Sequence, residues 1–66
     1  MAWSKSVHDA VAAFEKSKSI KVTCGARPDD DAIEEFVTKV ARALKVSRDW
    51  LKWHRNGKKG IIIDLC

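Results

Sequence analysis

The chain has 66 residues, 45 % of them hydrophobic and 33 % charged, with a formal net charge of +4 and a sequence pI of 9.3. This length leaves no room for a multidomain enzyme or a dinucleotide fold, and the composition is not that of a disordered chain. It predicts one small domain over residues 1–66, burying only about 60 % of the surface that its unfolded chain exposes.

The first predicted element is a helix from about Lys5 to Lys16. Ser4 or Ser6 can cap it, and Ser6 with Asp9 resembles a capping box with Asp in place of Glu. Val7, Ala10, Val11 and Phe14 recur at helical spacing, and Trp3 is placed to fold back over the helix start. From Ser19 to Cys24 the period becomes two. Ile20, Val22 and Cys24 face one way, Lys21 and Thr23 the other, as in a half-buried strand. Gly25 ends this strand.

Pro28 and the aspartates Asp29, Asp30 and Asp31 then announce a helix, with Asp31 and Glu34 fitting a capping box. This second helix is predicted over about Asp30 to Leu44, on the stripe Ile33, Phe36, Val37, Val40, Ala41 and Leu44. A break at Lys45-Val46-Ser47 follows. Ser47 suits an N-cap and Asp49 a first turn, so a short helix is expected to His54 or Arg55. Asn56-Gly57 stops it, and Gly60 to Leu65 reads as a β-branched strand. The expected fold class is α+β, in the order helix, strand, helix, helix, strand. A small two-stranded sheet packs on the helices, and a spare strand edge makes a homodimer reasonable.

Charge divides unevenly along this plan. Residues 1–33 are neutral overall, whereas residues 39–59 hold eight basic side chains and one acid, Asp49, for a local charge of +7. Acids at the start of the second helix and bases at its end follow the helix dipole. That accounts for Asp29 to Glu35 and for Lys39, Arg42 and Lys45, but not for Arg48, Lys52, Arg55, Lys58 and Lys59 farther on. Such a cluster points to a cationic contact surface, most often for nucleic acid.

The stretch Val40-Ala41-Arg42-Ala43-Leu44-Lys45-Val46-Ser47-Arg48-Asp49-Trp50-Leu51 has the pattern of two helices crossing at a tight turn. Ala41 permits close approach, Leu44, Val46 and Leu51 lock the angle, and Ser47 caps the second helix. It resembles the helix-turn-helix family, and the element order resembles an abbreviated winged-helix domain. Lys45 occupies a turn position often held by glycine, and the third strand of a winged helix is not expected before the chain ends at Cys66.

The resemblance implies a DNA-binding regulator of transcription, acting through the helix at 47–55 and the basic turn at 56–60. Arg48 and Lys52 would face base edges. Arg55, Lys58 and Lys59 would meet phosphates, with Arg42 and Lys45 flanking the backbone. DNA is favoured over RNA as the partner.

Two indoles, Trp50 and Trp53, lie beside this basic run. They suit core or interface anchors, so the alternative is a protein-interaction module, such as a small inhibitor or adaptor. Stacking on single-stranded bases is a minor third reading.

Cys24, Cys66, His8 and His54 match no paired-ligand spacing, so no metal or cofactor is expected. Cys24 reads as a buried, inert thiol and Cys66 as a free one, and parallel strands would let the two approach each other. His8 is expected in solvent and His54 at the end of the short helix. No catalytic constellation stands out, so the chain is not read as an enzyme. The longest apolar runs, Ala10 to Phe14 and Ile61 to Ile63, fall far below the roughly 20 residues of a membrane span. No signal-peptide block is evident, and the expected location is the cytoplasm.

Overall fold

A computed structural model describes residues 3–65. The elements run α1 (Val7–Lys16), β1 (Ser19–Thr23), α2 (Asp30–Leu44), a 3₁₀ turn (Arg48–Trp50), β2 (Leu51–Asn56) and β3 (Gly60–Leu65). The α+β class is as expected, but the sheet has three strands rather than two, all antiparallel, in the order β1-β3-β2.

Both helices begin at capping side chains. Ser6 Oγ accepts from the Asp9 amide at 3.1 Å. At α2 the cap is Asp29, two residues before the predicted box, and its Oδ1 accepts from the Ala32 amide at 2.8 Å. The exit from α2 is a Schellman closure. Lys45 takes the left-handed conformation (φ 62°, ψ 37°), and its amide donates to Ala41 and Arg42 carbonyls. The Val46 amide donates to the Ala41 carbonyl. The tight turn is therefore present, on lysine rather than glycine.

The helix expected at 47–55 is not formed. Ser47 caps a single 3₁₀ turn, Arg48–Trp50, and the chain then extends into β2. Leu51-Lys52-Trp53-His54-Arg55-Asn56 satisfies a period of two as well as a helical one. The tertiary context decides. The run Ile61-Ile62-Ile63 forms a central strand that needs a neighbour on each side, and β1 supplies only one. Asn56-Gly57 is a hairpin signal rather than a helix stop. Gly57 has φ 75°. A Cβ on Gly60 would lie 2.6 Å from the Asn56 carbonyl oxygen, so the strands come this close only because residue 60 has no side chain.

One face of the sheet carries Ile20, Val22, Leu51, Ile61 and Ile63 into the core. They meet Ala10 and Phe14 of α1 and Ile33, Phe36, Val37, Val40 and Ala41 of α2. Both helices thus lie on one side of the sheet. Trp3 stacks on Phe36 with ring centroids 4.8 Å apart and bridges Cys24 just beyond β1. The Ser4 amide donates to the Thr23 carbonyl, and the Thr23 amide to Ser4 Oγ, so Trp3 and Ser4 cover part of the free β1 edge. Cys24 is buried. The antiparallel pairing sets it beside Lys59, which removes the parallel arrangement under which the thiols could meet; Cys66 lies outside the described residues. Among the described residues, no helix is long and apolar enough to cross a membrane.

Candidate nucleic-acid interface

Strand alternation sorts the basic residues of β2 onto two faces. Residues 51, 53 and 55 turn toward the helices, whereas Lys52, His54 and Asn56 turn outward. The same alternation puts Lys21 of β1 and Ile62 and Asp64 of β3 on the outer face, where cross-strand pairing sets the charged side chains in two rows. One row is Lys21, Ile62 and His54; the other is Ser19, Asp64 and Lys52. Lys21, Lys52 and His54 are exposed and Ile62 is half-buried.

The arginines have a different fate. Arg48 Nε and Nη2 donate to the Glu34 carboxylate at 2.7–3.0 Å, and Nη1 donates to the Leu51 carbonyl at 2.6 Å. The Trp53 indole N–H donates to the same carboxylate at 2.9 Å. These bonds, from Trp53 first and Arg48 second, hold the Glu34 carboxyl below its ordinary value of 4.5. Arg55 donates to Asp30 Oδ1 at 2.7 Å and to the Pro28 carbonyl at 2.9 Å. Two acids of α2 that complement its dipole thus also bind guanidinium groups from the segment that follows.

This overturns the expected single helical face of Arg48, Lys52 and Arg55. Arg48 and Arg55 are half-buried pins between α2 and β2, while Lys52 faces away from them. Lys39 pairs with Glu35 at 3.2 Å on the surface of α2. Arg42, Lys45, Lys52, Lys58 and Lys59 are exposed and make no ion pair with another described residue. They form two groups. Arg42 and Lys45 sit at the end of α2, on the helical layer. Lys52, Lys58 and Lys59 belong to the hairpin, joined on the outer face by Lys21 and His54.

Lys21 and His54 were missing from the predicted contact set. The alternation at Ser19–Thr23 already turned Lys21 away from the core. His54, expected at a helix end, gains its outward position only once β2 is a strand. The outer face and hairpin turn together hold four lysines, Lys21, Lys52, Lys58 and Lys59, against one acid, Asp64. From Lys52 to the end of β2 at Asn56 the track is roughly 13 Å long, at about 3.3 Å per strand residue.

The two indoles also part company. Trp53 is half-buried and committed to Glu34, whereas Trp50 is 54 % exposed, the one large exposed hydrophobic among the described residues. No group of three or more potential metal ligands occurs among those residues. The chain matches no protein-family model, no curated protein and no solved structure.

Proposed function

We propose that this chain binds nucleic acid, duplex DNA above all, through the β2–β3 hairpin and the open face of the sheet. The observation that carries this reading is the partition of the basic cluster. Arg48 and Arg55 are spent on α2, and the cations that the hairpin turns outward are lysines. Lysine presents a compact charge without the planar fork that reads guanine, so the contacts are to phosphate and tolerate sequence. Duplex DNA carries about one charge per 1.7 Å of axis, which makes it the polyanion best suited to such a track. The wing half of the winged-helix resemblance is kept, with the basic turn at 56–60 as the wing. The major-groove helix is not. A small accessory regulator that holds DNA without selecting its sequence fits this geometry.

Titration of a mixed-sequence duplex over a salt series tests the proposal. Four phosphate contacts predict a slope of about −3 to −4 in log affinity against log salt. Absence of binding at low salt would reject it.

A second reading rests on Trp50 alone. An indole this exposed, at the end of the 3₁₀ turn and five residues after Lys45, suits an anchor for an acidic protein partner. On this reading Trp50→Ala abolishes partner capture and leaves DNA affinity unchanged.

A further inference from the structure

Resting on the DNA-binding reading, we infer that His54 is a proton-linked member of the polyanion site. A phosphate backbone on the outer sheet face draws a proton onto the imidazole, which then serves as a further cation. His54 lies in the middle of β2, opposite Ile62, with Lys21 next across the sheet. Lys52 shares its face two residues earlier. The acid facing it is Asp64, whose Oδ2 is 3.8 Å from Nδ1, too far for a hydrogen bond. Both helices pack on the opposite side of the sheet, so the charged groups around the ring are Lys21, Lys52 and Asp64.

Imidazole is the side chain whose charge ordinarily changes between pH 5 and 8. A bound phosphate neutralises the lysines and adds negative charge above the ring, so the balance moves toward imidazolium. Linkage is reciprocal: whatever factor the phosphate lends to protonation, protonation lends to phosphate binding.

The experiment is fluorescence anisotropy of a labelled mixed-sequence DNA duplex, with salt series at about pH 5.5 and about pH 8. The wild type should bind about tenfold tighter at the lower pH. Its salt slope should steepen by about 0.9, one added contact. His54→Gln should lose both changes. His54→Lys should bind at the higher pH as the wild type does at the lower. His8→Gln, on the exposed side of α1, and Asp64→Asn should each keep the pH step. Equal wild-type slopes at both pH values, or a step that survives in His54→Gln, would overturn the inference and leave the DNA-binding reading standing. No binding at either pH would remove both.

Discussion

The two faces of β2 carry the same kind of charge and do different things with it. On the inner side, Arg55, together with Arg48 from the preceding turn, reaches back to Asp30 and Glu34. On the outer side, Lys52 and His54 stand in solvent. Guanidinium binds a carboxylate through two parallel donors, and its weaker hydration makes partial burial tolerable. Ammonium is strongly hydrated and stays out. A basic run is therefore one feature in sequence and two in space, and the strand period decides which residue joins which.

The largest expected effect lies on the inner side. Leu51 is 1 % exposed, and Leu51→Ala should cost about 2–5 kcal/mol in urea unfolding. That is a large part of the roughly 3–10 kcal/mol that a chain of this size has in total. A loss below 1 kcal/mol would mean that β2 is not fastened to the core.

Next comes the outer side. Reversing Lys52, Lys58 and Lys59 together to Glu should weaken duplex binding on the order of a hundredfold at low salt. The urea midpoint should barely move, because all three side chains are exposed.

Arg48→Ala should do the opposite. It leaves affinity unchanged and lowers stability by about 1 kcal/mol, since the pair with Glu34 is bidentate but still largely solvated. An affinity loss in that variant would move Arg48 into the contact surface and undo the contrast between the faces.

The inner network also has a pH signature. Bonds from Trp53 and Arg48 favour the ionised carboxylate of Glu34 in the fold and depress its titration. Its contribution is therefore present above the ordinary value of 4.5 and is lost as pH falls through the lower folded value. Glu34→Gln should be less stable than wild type at neutral pH, with the gap closing in acid. A gap that stays constant from neutral pH into strong acid would show that the bonds do not depend on charge.

The smallest effect concerns the turn that sets the two faces apart. Lys45 holds a positive φ of 62°, so Lys45→Gly should raise stability by about 0.5–1 kcal/mol. A loss would show that the lysine side chain itself supports the turn.

Most of the fold was legible because most of its segments obey one period. Val7 to Phe14 and Ile33 to Leu44 fit only a helix, and Ile20 to Cys24 only a strand. Residues 47–56 obey both periods, so local pattern did not choose between them. The choice came from β3, which is distant in sequence until the hairpin forms. The composition of the site follows from that choice. With a helix, Arg48, Lys52 and Arg55 share one face; with a strand, they divide. Glu34 and Asp30 read as dipole compensation, and nothing local marked them as partners for guanidinium groups 14 and 25 residues away. Asn56-Gly57 is a hairpin signal and a helix stop alike, and only the strand on either side of it decides which.

The division of charge is tested most directly by adding a short DNA duplex to isotopically labelled protein and following the backbone and arginine side-chain resonances. The amides of Lys21, Lys52, His54, Lys58 and Lys59 should shift together as duplex is added, while the Nε resonances of Arg48 and Arg55 stay in place. Movement of those two guanidinium groups with a silent hairpin would contradict the account.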